Sequence, residues 1–240
     1  MCKLLNKHII RVLLLALWLL PNDIFSQTIK PTITFYSVED ETNVEMSEGE
    51  SQTAQAPLTL LCNANISEAD LFNYTCEWRF FDSREGEDKP LLTRFEEDTE
   101  YELEKSGSYG IKLYVTFTDE KGESIEMESE LFTIIISESE LSCPDGFSPN
   151  GDGINDVYRI EYKSIIKLEA AIFNRWGQKI HTMNLENVDN GWDGRRGGDY
   201  VKDGVYFINL KAVGSDGVEY KIKKAINVLK GFKETEETDV

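Results

Sequence analysis

Apolar and polar residues alternate most regularly over residues 109–117, where Tyr109, Ile111, Leu113, Val115 and Phe117 interleave with Gly110, Lys112, Tyr114 and Thr116. A period of two places one set on a buried face and predicts a half-buried β-strand. Asp119-Glu120-Lys121-Gly122 supplies a turn with glycine available for positive φ, and residues 124–136 return as a second strand, completing a hairpin. Residues 32–36, 58–63 and 74–81 add three β-rich runs, and no stretch sustains a period of 3.6. Short strands separated by turns predict a sandwich. Further along, residues 157–162, 167–174, 179–184, 205–213 and 219–229 read as strands. Tyr206, Ile208, Leu210 and Ala212 point to one face, and Gly214-Ser215-Asp216-Gly217 turns the last pair. The fold class expected is all-β: two antiparallel, immunoglobulin-like sandwiches in tandem.

The first residues belong to neither sandwich. Lys3, Lys7 and Arg11 precede an apolar run over residues 12–20, followed by Pro21 and the small Ser26, the layout of a secretory signal peptide cleaved after Ser26. The run is shorter than the about 20 apolar residues a spanning helix needs. Cys2 lies ahead of the apolar run rather than directly after it, where a lipidated cysteine would stand, and it leaves with the peptide.

Charge then divides the remainder. The 240-residue chain carries 44 acidic and 25 basic side chains, a formal charge of −19, yet 40% of it is apolar and 11% aromatic, too much for a disordered chain. Residues 27–142 hold 27 acids and 8 bases, residues 143–240 hold 16 and 14. A step of that size at the Ser-Glu-Ser-Glu stretch of residues 137–140, before Cys143-Pro144, predicts a domain boundary near residue 142. Such acidity repels phosphate backbones and anionic membrane surfaces, so nucleic acid is not an expected partner.

Two resemblances follow from particular runs. CEWRFF at residues 76–81 and KSGSYGIKLYVTFTDEKG at residues 105–122 resemble the core strands of a PKD-type immunoglobulin-like domain, which implies a spacer or binding module over residues 27–142. FSPNGDGINDVYRI (147–160), IFNRWGQKIHT (172–182), WDG (192–194) and DGVYFINLKA (203–212) occur in order and resemble the gliding-motility-associated C-terminal domain, the type B sorting signal of the type IX secretion system of Bacteroidetes-type bacteria. That resemblance implies a sorting domain over residues 143–233, with residues 234–240 as an acidic tail beyond it. It implies export through the periplasm to the outer-membrane surface or the medium, with the outer-membrane type IX machinery as partner.

Candidate chemistry is sparse. After the signal peptide one histidine remains, His181, inside an expected strand, so a Ser-His-Asp or Cys-His arrangement would have to use it. Cys62, Cys76, Cys143 and His181 lack the close pairs of a structural zinc site. No cofactor is expected. In an oxidising compartment three cysteines suggest one bridge and one leftover, and Cys62 with Cys76, on neighbouring expected strands, is the preferred pair against two free buried thiols. Residues 148–156, SPNGDGIND, allow two readings. Aligned to a twelve-residue calcium loop they place Asn150, Asp152, Ile154 and Asp156 at ligand positions, but Arg159 stands where a bidentate glutamate belongs. The preferred reading is a tight turn with Gly151 and Gly153 at positive φ. Asn174-Arg175-Trp176-Gly177 reads as a hairpin turn with Gly177 left-handed and Trp176 packed over a sheet edge. Its second reading, with Arg195 and Arg196 of the other basic loop, is a surface on which Arg175, Trp176, Arg195 and Arg196 are recognised by the export machinery.

Three functions fit these features. The preferred one is a non-enzymatic, exported surface or secreted protein with a small binding or spacer domain. The alternative is an accessory or signalling component of the secretion apparatus, whose C-terminal domain reports to an envelope sensor; a surface glycolipid is a further conceivable partner. A small secreted hydrolase is disfavoured by the single histidine.

Overall fold

The computed structural model describes residues 27–231; the expected signal peptide and acidic tail lie outside the described residues. The first half contains β1 (Thr28–Ile29), β2 (Thr32–Ser37), β3 (Thr42–Ser47), β4 (Ser51–Ala54), β5 (Leu58–Asn63) and β6 (Ile66–Ser67). It continues with β7 (Asn73–Asp82), β8 (Leu92–Arg94), β9 (Asp98–Leu103), β10 (Gly107–Thr118), β11 (Ser124–Glu128) and β12 (Phe132–Ile136). One sheet runs β3-β2-β5-β9 and the opposing one β4-β12-β10-β7-β8, with β11 also on β10. The alternation at residues 109–117 becomes the central strand β10, whose Ile111, Leu113, Val115 and Phe117 are buried against Trp78 and Phe80 of β7 and against Ile33, Met46 and Leu60 of the other sheet. The Trp78 indole N–H donates to the Glu97 carbonyl at 3.1 Å, so its polar edge is satisfied inside the core.

The return strand expected over residues 124–136 is broken in two. Leu113 N donates to Ser129 Oγ at 3.0 Å and Ser129 N to the Leu113 carbonyl at 2.9 Å. The Ser129 hydroxyl thus takes a bond that a paired strand would have supplied, and the chain re-enters the sheet as β12 at Phe132.

The second half contains β13 (Glu140–Ser142), β14 (Gly146–Phe147), β15 (Glu161–Lys163), β16 (Ile165–Phe173), β17 (Lys179–Asn184), β18 (Arg195–Arg196), β19 (Asp199–Tyr200), β20 (Gly204–Gly214) and β21 (Glu219–Val228), with a 3-10 turn at Val188–Asn190. Five strands make one sheet in the order β14-β21-β20-β16-β17. The opposing layer is thin: the β13–β15 ribbon, and an isolated bridge between Tyr158 and Trp192. Residues 157–160, expected to be strand, contribute only that bridge. Tyr158 is instead committed to the layer contact, with its OH donating to the Pro144 carbonyl at 3.1 Å. Trp192 packs at 5.2 Å from Phe147 and 5.5 Å from Tyr206, closing a core with Leu168, Ile172, Ile208 and Leu210.

The described residues are therefore nearly all β, with two sandwich domains in tandem. Strand β13 pairs with β15 of the second domain, so the connection between the two cores is confined to the residues between Ile136 and Glu140. No helix among the described residues is long and apolar enough to cross a membrane.

Candidate functional site

The candidate site lies at the pole of the second sheet where β16 ends at Phe173 and β20 begins at Gly204. Asn174 builds the turn between β16 and β17. Its Oδ1 accepts from Trp176 N at 3.0 Å and Gln178 N at 2.9 Å, and its carbonyl accepts from Gly177 N at 2.9 Å. Gly177 stands at φ 77, which side chains on L residues resist. The packing of Trp176 over a sheet edge expected from the sequence does not occur. With Trp176 N tied to Asn174, the indole projects outward and is 75% exposed, and the Arg175 guanidinium lies 4.2 Å from its ring centroid.

A second projection faces it. Arg195 and Tyr200 pair across the β18–β19 ribbon, and the Arg195 guanidinium lies 4.2 Å over the Tyr200 ring. The ribbon is held from below, since the Trp192 indole N–H donates to the Arg195 carbonyl at 2.9 Å. Between turn and ribbon runs a groove of about 370 Å³ lined by Arg175, Trp176, Arg196, Tyr200, Lys202 and Val205. On the other side of the turn, Phe173 and Phe207 are register partners on the open face of the sheet, beside Ala225 and Lys223.

The structure thus brings Arg175, Trp176 and Arg196 into one groove and sets Arg195 beside it through Tyr200. Tyr200, Val205 and Phe207 were missed by the sequence reading. A signal for the last two exists: with Tyr206, Ile208 and Leu210 inward, Val205 and Phe207 are apolar residues on the outward phase of β20, and both are exposed.

The loop of residues 148–156 borders the same pole, with Ser148 Oγ donating to the Leu229 carbonyl at 3.0 Å. Its acidic groups cap backbone amides. Asp156 accepts from Asn150 N at 2.9 Å, Gly151 N at 2.7 Å and Gly153 N at 2.8 Å. The Gly151 and Gly153 amides chiefly hold its carboxyl below the ordinary aspartate value. Asp152 accepts from Ile154 N at 2.9 Å and from Asn150 Nδ2 at 2.8 Å. Gly151 and Gly153 take φ 81 and 88. Among the described residues no group of three or more His, Cys, Asp or Glu is placed to hold a metal.

The remaining candidates are packing groups. His181 stacks on Trp192 at 6.3 Å, and burial lowers its pKa. Cys62 and Cys76 are not bridged, which corrects the expected disulfide. Their strands are not neighbours in one sheet: β5 belongs to the sheet containing β2 and β9, and β7 to the opposing sheet, so each thiol enters the core from its own side. Burial pushes the Cys62 thiol up to about 12 and Cys76 to about 11, far from the thiolate form that reacts. Cys143 is also free and buried.

Solved structures share low similarity with the chain. The fibronectin(III)-like modules of Clostridium thermocellum CbhA align at 14% identity over 86% of this chain and 100% of that one, with a TM-score of 0.24. Dimeric latent PorU from Porphyromonas gingivalis aligns at 11% identity over 88% of this chain and 21% of that one, with a TM-score of 0.26. The Bacteroides ovatus mixed-linkage glucan utilization locus SGBP-B, solved with a mixed-linkage heptasaccharide, aligns at 15% identity over 74% and 42%, with a TM-score of 0.24. No curated protein matches the chain. The family model of the CHU_C type IX secretion signal domain matches residues 141–228, from β13 to the end of β21. Over these residues the second sandwich is similar to the CHU_C type IX secretion signal domain.

Proposed function

We infer that the chain is a non-enzymatic exported protein, carried to the cell surface or beyond by the type IX machinery, and that the machinery reads the groove between the 174–178 turn and the β18–β19 ribbon. The first sandwich is then the freight, a small binding or spacer module. One observation carries this reading: an indole 75% exposed in a groove whose cations Arg175, Arg196 and Lys202 form no ion pair among the described residues. A tryptophan gains nothing for folding by standing in water, whereas Trp and Arg dominate the residues that anchor protein partners. Against catalysis, His181 is committed to Trp192, and the thiols of Cys62 and Cys76 are buried in the other domain.

A fluorescent reporter with a signal peptide, fused to residues 137–240, tests the reading. The fusion should be accessible to external protease in cells with an intact type IX system and protected in a secretion mutant. A fusion that stays periplasmic while another type IX signal domain exports the same reporter would contradict it.

A further inference from the structure

The opposite pole of the signal domain meets the first sandwich through hydrogen bonds made by buried serines. Ser164, between β15 and β16, is 1% exposed, and its Oγ accepts from Ala56 N of the first domain at 3.3 Å. Ser164 stands at φ 48, a left-handed conformation that costs a non-glycine residue, so glycine would suit the backbone better and the hydroxyl is what serine adds. Ser215, in the turn between β20 and β21, donates its Oγ to the Ser137 carbonyl at 3.3 Å, and its own carbonyl accepts from Ser106 N at 3.2 Å. Beside it, Asp216 receives Ser139 N at 3.0 Å and the Ser139 hydroxyl at 2.8 and 2.9 Å, while Tyr220 OH donates to the Ser139 carbonyl at 2.9 Å. Gly214 is required for this approach, because a Cβ there would overlap Ser139 Oγ and Cβ. Ile166 of β16 adds an apolar contact to the core of the first domain.

The register of β20 fixes where this junction lies. Gly214 pairs with Ile165 at the junction, Phe207 pairs with Phe173 beside the groove, and Gly204 pairs with Val228 at the far end. Eleven residues separate the poles by roughly 33 Å at the usual rise per strand residue. The geometry points to a further role for the first sandwich: it is a clasped base that locks the signal domain into one rigid body with it and holds the recognition groove at the distal tip, facing away from the freight. The outward orientation matters because of the groove reading above; the clasp itself does not depend on it.

Backbone ¹⁵N relaxation on the full chain tests the clasp. Both domains should share one tumbling time, and Asp216→Asn combined with Ser139→Ala should separate the two values and shorten both. Ser164→Gly, which keeps the left-handed backbone free and removes only the hydroxyl, should give a smaller separation of the same kind. Dispersed methyl signals from both cores show that each variant remains folded. Separate tumbling times in the parent chain, or a shared time that survives the double variant, would overturn the clasp. Trp176→Ala should leave the tumbling unchanged. Shared tumbling with undiminished export of Trp176→Ala would therefore refute the groove and keep the clasp, and separate tumbling with export lost would do the reverse.

Discussion

The two poles of the signal domain are built on opposite rules. At the Gly214 pole small polar residues are buried and bonded: Ser164 and Ser215 are held by Ala56 and Ser106 of the first sandwich, Ser139 of the connection is held by Asp216 and Tyr220, and no buried side-chain nitrogen or oxygen among the described residues lacks a partner. At the Gly204 pole large residues stand in water, with Trp176, Tyr200 and Phe207 exposed, Arg175 lying over the Trp176 ring and Arg195 and Lys230 over the Tyr200 ring. A buried hydroxyl without its partner costs about 1–3 kcal/mol, so the first pole can exist only as a made contact. Exposed aromatic rings carry no such requirement; under the function proposed above, a partner outside the chain would cover them. One sheet therefore ends in a made contact at one pole and in exposed aromatic rings at the other.

The largest effect should come from Trp192, which ties the groove pole to the core. Trp192→Ala removes a fully buried ring and the donor to the Arg195 carbonyl, and should destabilise the signal domain by about 3–5 kcal/mol in thermal or denaturant unfolding. Hydrogen exchange should show the β18–β19 ribbon opening before β13, whereas uniform opening would show that the poles are not distinct.

Glycines come next. Gly151→Val, Gly153→Val and Gly177→Val each force a branched residue into positive φ with no neighbour in the way, and each should cost about 1–3 kcal/mol from backbone strain alone. Three variants as stable as the parent would remove the turn account of this pole. Calcium or a chelator should leave the unfolding midpoint where it is, because Asp152 and Asp156 already serve backbone amides; a clear rise with calcium would contradict that wiring.

The junction should respond to acid. Partial burial pushes the Asp216 carboxyl upward, but the amides of Val218 and Ser139 and the Ser139 hydroxyl together prevail and hold it below the ordinary value of 3.8. A carboxyl depressed in the folded state stabilises fully above the unfolded value, and that contribution fades as pH falls through 3.8 toward the lower folded value. Glu219, at the start of β21, is also held low, by Lys221, and titrates in the same sense. The difference between the parent and Asp216→Asn isolates the clasp: domain coupling should weaken in acid only in the parent. The smallest effect is expected at the groove itself, where Trp176→Ala should change stability by no more than about 0.5 kcal/mol because the ring touches little of the fold.

Much of this architecture is written locally. The alternation of residues 109–117 and 205–213 suffices to place β10 and β20, and glycine and aspartate chemistry places the turns after them. Two-residue elements such as β14 and β18 carry no period, so their pairing is decided by distant partners. Strand β9 is hidden for another reason: Asp98, Glu100 and Glu102 occupy its outward phase and make the run look like a charged loop, although Leu103 is buried. Arg175 and Trp176 were legible as candidates because the sorting-domain resemblance implies a surface that is read, and arginine beside tryptophan suits an anchor for a protein partner. Their meeting with Arg196 and Tyr200 was not, since it depends on Trp192 lifting the ribbon from beneath. The serine junction was also hidden, because its members look like ordinary linker and turn residues until the two domains are placed together.

The most direct measurement is surface exposure of the full chain carrying Arg175→Ala, Trp176→Ala and Arg196→Ala, probed by external protease in cells with an intact type IX system. The groove account predicts that the parent chain is digested while the triple variant, equally stable and folded, accumulates in the periplasm undigested. A triple variant that reaches the surface as readily as the parent would contradict it.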